Sequence, residues 1–222
     1  MIPQQHAGRT VLAFFWADNS LNSNLRNNIR TMMQGLQAMK DSAALLVYWD
    51  GEASDISWPE PCIVEYVTNG QGGINSMSKE AVNAMIADQD MSVHDLISIG
   101  NIRKKYPPQT STEKTVMQTV IGDMMSVYPS ESYGIIFGSH GSGWLPTITG
   151  TRSIGQDGGR YSSDTALIPE LAEVLRTVNP QKFDFVLFDA CMMGCAEVYY
   201  ELKDAAKYCI CLLYTSPSPR DS

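Results

Sequence analysis

Residues 182–202 read KFDFVLFDACMMGCAEVYYEL, and the fold of the whole chain turns on them. Phe183 to Phe188 is an apolar run broken only by Asp184, the mark of a short buried strand. After Asp189-Ala190-Cys191 the period changes. From Met192 on, Met193, Ala196 and Tyr200 recur at spacings of three and four, with Glu197, Glu201 and Lys203 on other faces, which predicts a helix. Cys191 is thereby expected where a strand ends and a helix begins. Unpaired N–H groups and the macrodipole at a helix N-terminus favour an anion, an environment that promotes the reactive thiolate. The plainer alternative is a buried cysteine with a packing role, since free Cys is among the most buried residues.

Residues 133–144, YGIIFGSHGSGW, answer the first stretch. Gly134 to Phe137 is again an apolar run, and it ends in a Gly-rich turn that carries His140. Two such strands lying parallel in one sheet bring His140 and Cys191 to the same carboxyl edge, where open α/β sheets place their sites. A thiol beside an imidazole is a nucleophile with its base. His140 would help make the thiolate and then protonate a leaving group. Gly138, Gly141 and Gly143 let backbone approach a substrate closely. Ser139 and Ser142 are weaker nucleophile candidates, because neither lies in the G-x-S-x-G turn that a serine hydrolase needs.

Outward from these blocks, strands are predicted at Thr10–Trp16, Ala43–Trp49 and Ile63–Val67, the last at a sheet edge. Ala17–Ser20 reads as a turn, with Asp18 and Asn19 bonding their own backbone. Leu21 to Met39 shows a helical stripe of Leu21, Leu25, Ile29, Met32, Met33, Leu36 and Met39, whose methionines fill core. Helices are predicted at Ser78–Asp88, capped by Ser78, and at Ser92–Lys105, with His94 on its surface and Arg103–Lys105 at its C-terminus. Thr112–Tyr128 and Ile168–Val178 complete the set, the latter ended by Pro180. Residues 145–164 are polar and Gly-rich with no helical period, a long loop of the kind that is functional or mobile. The alternation predicts an α/β fold: an open, mostly parallel sheet flanked by helices in three layers.

The totals set bounds. A chain of 222 residues suffices for one domain with a sizeable core. A formal charge of −8 argues against nucleic acid as the main partner. Five cysteines in irregular spacing form neither a disulfide framework nor a zinc pattern, and a metal site from Cys191, Cys195 and His140 is disfavoured by the same spacing argument. No apolar run is long enough for a transmembrane helix. Met1–His6 lacks the regions of a signal peptide. The Gly-rich turn Asn69–Gly73 lacks the context of a phosphate loop.

FGSHGSGW and FDACMMGCAEVYYEL resemble the two catalytic blocks of the clostripain family of cysteine peptidases, relatives of caspases, legumains and gingipains. RTVLAFFWADNSLN resembles that family's first strand and loop, and the likeness covers roughly residues 9 to 209. Asp-Ala-Cys-Met-Met-Gly departs from the Q-A-C-x-G of caspases, whose His stands about 50 residues upstream; here the interval is 51. The resemblance implies a caspase-like fold with Cys191 as nucleophile, His140 as base and acid, and an oxyanion hole from the backbone N–H groups of Gly141 and Cys191. It also implies that Asp189 lines a pocket for Arg or Lys, where a carboxylate suits a guanidinium; a helix N-cap is the other use of Asp there.

Family members commonly cut themselves between the blocks after a basic residue, which makes Arg152 and Arg160 the autoprocessing candidates. The chemistry requires no cofactor. Calcium serves some members, but no EF-hand spacing is present. The expected partners are peptides or proteins with basic residues, and the expected location is secreted or cell-envelope in a bacterium. The competing function is a catalytically inactive caspase-like binding or scaffold protein. Cys211 to Ser222 resembles a translated sequencing-library adaptor. The expected organisation is therefore a peptidase domain over 1–210, incomplete at its C-terminus, followed by a disordered tail at 211–222.

Overall fold

Nine consecutive residues, Arg9–Ala17, form β1, and its apolar side chains serve both faces of a central sheet. Leu12, Phe14 and Trp16 enter one core, and Ala13, Phe15 and Ala17 the other. That two-sided burial is why the strand reads as a continuous apolar run instead of an alternation. The computed structural model describes residues 8–39, 43–51, 60–88, 91–142, 153–157 and 164–211.

Along the chain β1 is followed by α1 (Asn22–Ala38), β2 (Ala43–Gly51), β3 (Cys62–Val67), α2 (Lys79–Ile86), α3 (Val93–Ile99) and β4 (Asn101–Lys105). Then come α4 (Lys114–Val127), β5 (Tyr133–Gly138), β6 (Ser153–Asp157), β7 (Asp164–Leu167), α5 (Ile168–Val178), β8 (Phe183–Asp189), α6 (Ala196–Leu202) and β9 (Ala206–Cys211). The main sheet has seven strands in the order β4-β3-β2-β1-β5-β8-β9, and β6-β7 forms a separate ribbon. β2, β1, β5, β8 and β9 run parallel, while β3 is antiparallel to both of its neighbours, β2 and the edge strand β4. Helices α1, α2 and α3 bury their stripes on one face and α4, α5 and α6 on the other. This is the mostly parallel three-layer α/β architecture expected from the pattern.

The sheet grows from β1 in one direction through β2 and in the other through β5, β8 and β9. The strand order therefore reverses between β1 and β5, and the crevice at their carboxyl ends is the place where such sheets bind ligands.

Several expectations need correction. Ser92–Lys105 is not one helix: α3 stops at Ile99 and residues 101–105 form β4. A Cβ on Gly100 would lie 2.4 Å from Val64 Cγ1, so the glycine lets the chain turn hard against β3. Arg103, Lys104 and Lys105 thus cap no helix. They arm a fully exposed edge strand and pair with Glu65, Asp123 and Glu60, a charged edge that resists strand addition. β3 is consequently interior. Met39 leaves the helical stripe as an extended C-cap residue, 40% exposed. Part of the 145–164 segment is the strand β6. Ser78 caps α2 as anticipated, accepting from the Ala81 N–H, and His94 is exposed on α3.

Candidate active site

The register of the sheet places the two chemical blocks side by side. Gly138 of β5 pairs with Phe15 of β1 and with Asp189 of β8, so His140 and Cys191 each stand two residues beyond the paired ends. The Ser139 N–H continues the ladder to the Asp189 carbonyl. Gly141 then meets the other block directly. A Cβ added there would lie 2.6 Å from the Cys191 carbonyl oxygen, 3.1 Å from Met193 Sδ and 3.2 Å from Ala190 Cβ. Only glycine permits this backbone approach.

His140 is half-buried, and burial lowers its pKa below the ordinary imidazole value, favouring the neutral ring that can accept a proton. Its Nε2 lies 3.0 Å from Ser20 Oγ. Its carbonyl accepts from the Gly155 N–H at 3.0 Å, and Gly141 bridges to Ile154. Beneath it Asn19, 2% exposed, ties three segments together. Its amide reaches the Trp16 and Gln156 carbonyls and Ser139 Oγ, and its Oδ1 accepts from the Leu21 N–H. Ser139 is fully buried, accepting also from the Gln156 N–H; Ser142 Oγ is bonded to Ser153. Neither hydroxyl is placed as a nucleophile.

Cys191 is a partly exposed free thiol, but the helix expected just after it begins only at Ala196, with Cys195 as its N-cap. Met192 holds φ +59°, a left-handed conformation that a helix cannot continue through. The helix-terminus argument for a reactive thiolate therefore does not apply, Cys191 and Cys195 do not share a helix face, and Asp189 is no helix N-cap. Asp189 is half-buried, and burial raises its carboxyl above the usual carboxylate range. Its Oδ2 accepts a short hydrogen bond from Asn28 of α1. Arg152 and Arg160 lie outside the described residues.

A thiol and an imidazole thus stand past the ends of two adjacent parallel strands at the carboxyl edge, with a carboxylate at the end of the Cys strand. The sequence model of the Clostripain family matches residues 13–219. The chain belongs to the clostripain family. Solved structures agree. A secreted cysteine protease of this family from Bacteroides thetaiotaomicron, in complex with an irreversible peptide inhibitor, is 29% identical with a TM-score of 0.68, over 96% of this chain and 50% of that one. An inactive zymogen from Parabacteroides distasonis is 27% identical with a TM-score of 0.67, over 97% and 51%. A further secreted protease of B. thetaiotaomicron, iotapain, shares the fold at 20% identity and a TM-score of 0.70, over 96% and 54%. The chain spans about half the length of these relatives. No curated protein matches the chain.

In this clostripain-family chain β6 is the brace that holds the His140 turn, and its far end is fixed by a buried acid cluster. The Ser111 N–H donates to Asp157, Ser111 Oγ donates to Asp50, and Tyr48 OH and Trp16 Nε1 bond the same serine. Burial first, and the nearby Asp157 second, push the Asp50 carboxyl up from 3.8 to about 7. The folded state keeps this proton over a range where the unfolded chain has lost it. The stability Asp50 supplies is therefore full below about pH 4 and lost as pH rises through 7. Asp50→Asn is expected to flatten the decline in the urea midpoint between pH 4 and 7; parallel declines in parent and variant would refute the assignment.

The sequence reading missed Ser20, Asn28 and the structural weight of Asn19. One signal was present: residues 19–28 hold five asparagines, and Asn is a poor helix former. Such a run at the start of a helix marks side chains kept for specific hydrogen bonds.

Proposed function

We propose that this chain carries the catalytic centre of a cysteine endopeptidase that cleaves after Arg or Lys. The observation behind this reading is the Gly141–Cys191 backbone contact, which sets the His140 turn against the Cys191 turn at one sheet edge. Cys191 Sγ, its proton passed to neutral His140, attacks the scissile carbonyl. The oxyanion is met by the N–H groups of Gly141 and Cys191, an interaction worth about 100-fold or more in rate per donor. His140, oriented by Ser20, then protonates the leaving amine, and water releases the acyl group. Asp189 receives the substrate's basic side chain.

Self-processing after Arg152 or Arg160 and export from a bacterial cell belong to the same proposal; the chemistry needs no cofactor, and calcium is an option that the family resemblance alone raises. Among the described residues no group of three or more His, Cys, Asp or Glu side chains is gathered to hold a metal ion, so no step is routed through one. Among those residues, too, no helix is long and apolar enough to cross a membrane.

The test is a panel of fluorogenic peptides ending in Arg, Lys, Asp or Leu. They are offered to the full-length gene product carrying this chain, with and without calcium, while intact-mass spectrometry follows the protein. Hydrolysis of only the Arg and Lys peptides is expected, with products cut after Arg152 or Arg160. Folded protein that hydrolyses none of them would favour the scaffold reading, and active protein of unchanged mass would remove self-processing.

A further inference from the structure

Asn28 sits in the interior of the 17-residue α1 and reaches across 161 residues of sequence to Asp189 Oδ2. Its helix face is firmly set, because Leu25 and Ile29 on either side of it are 2% and 3% exposed. Asparagine disfavours helix interiors, since its amide competes for backbone hydrogen bonds. Its place here is sustained by what the amide does. A carboxylate has a soft terminal torsion, and a single directional donor on one oxygen fixes the plane of the group. Donation to the ionised form also opposes the effect of burial, which favours the neutral acid.

We propose that Asn28 is a positioning residue for specificity: by holding one lone pair of Asp189 Oδ2 it fixes the carboxylate plane and presents Oδ1 and the remaining lone pair of Oδ2 to a substrate guanidinium. The inference rests on the reading of Asp189 as the pocket acid. It makes a distinction that reading does not. Arg binds through a planar fork and needs the carboxylate plane, whereas Lys is a point charge on a flexible stem and needs only the charge. Loss of Asn28 should therefore hurt Arg substrates more than Lys substrates.

The experiment compares the parent full-length product with Asp189→Asn, Asn28→Leu, Asn28→Ala and Asn28→His on matched Arg and Lys reporter peptides. Thermal midpoints and circular dichroism check each fold, and two donor-free variants are carried so that poor folding of one does not decide the matter. Either donor-free variant is expected to raise KM for the Arg peptide about tenfold, the scale of one hydrogen bond to a charged group. kcat should stay within about twofold, and the Arg:Lys preference should fall. Asn28→His is expected to restore both readouts, since its Nδ1 lies as many bonds from Cα as the lost amide nitrogen. If Asp189→Asn abolishes Arg cleavage while the Asn28 variants keep the parent's KM and preference, the role of Asn28 is overturned and the pocket reading stands. If Asp189→Asn leaves cleavage of both the Arg and the Lys peptides intact, the pocket reading falls and the inference falls with it. An equal loss on both peptides that His does not rescue assigns Asn28 to packing and overturns the proposal.

Discussion

Cys191→Ala is expected to lower hydrolysis of the Arg and Lys peptides by on the order of 10⁴-fold or more, to the level set by binding and the oxyanion hole alone. Ser139, fully buried, and Ser142, bonded to Ser153, are not placed to replace the thiol in forming the acyl intermediate. Removing a small, partly exposed side chain opens little cavity, so the thermal midpoint should barely move. Activity should also be lost when iodoacetamide labels the parent at Cys191, as mapped by peptide mass. A Cys191→Ala protein that keeps a tenth or so of parental kcat/KM, on the scale where tenfold is about 1.4 kcal/mol of barrier, would rule out Cys191 as nucleophile.

Gly141→Ala should be nearly as damaging for a different reason. The new methyl carbon would stand 2.6 Å from the Cys191 carbonyl oxygen, and the obstacle is backbone, which cannot swing aside as a flexible side chain would. Retreat on the other side is blocked by the bridge from Gly141 to Ile154 and by the bond from the Gly155 N–H to the His140 carbonyl. The His140 and Cys191 turns must separate. Misplacing an oxyanion donor costs about 10²–10³ in kcat, and the overpacking costs about 1–3 kcal/mol of stability. Gly122→Ala is the matched control: it lies within α4 with open space around it, so it should leave activity intact and stabilise the helix slightly. Equal activity of the two variants would show that the contact between the turns does not matter.

How far the residues could be read depended on the range of the forces involved. Apolar runs in β1, β2, β5 and β8 and the stripes of α1, α4 and α5 were legible because burial on a face repeats along a few neighbouring residues. The same local rule exposed His140 and Cys191, each at the point where an apolar run stops. It failed where a distant contact outweighed local period. Residues 192–195 have helical spacing, yet Met192 adopts a left-handed turn while Gly141 packs against the Cys191 carbonyl. Residues 100–105 continue a helical pattern, yet Gly100 fits against Val64 and Tyr66 and the chain pairs with β3 as an edge strand.

By itself, then, the order of residues determined the layered α/β sheet and placed His140 and Cys191 together at its carboxyl edge, since these follow from periodicity and from strand ends. The tertiary structure alone decided which groups serve them. Ser20 meets His140 across 120 residues and Asn28 meets Asp189 across 161. A hydrogen bond depends on placing two atoms within about 3 Å, and that placement exists only once β1, β5 and β8 lie side by side with α1 packed over them.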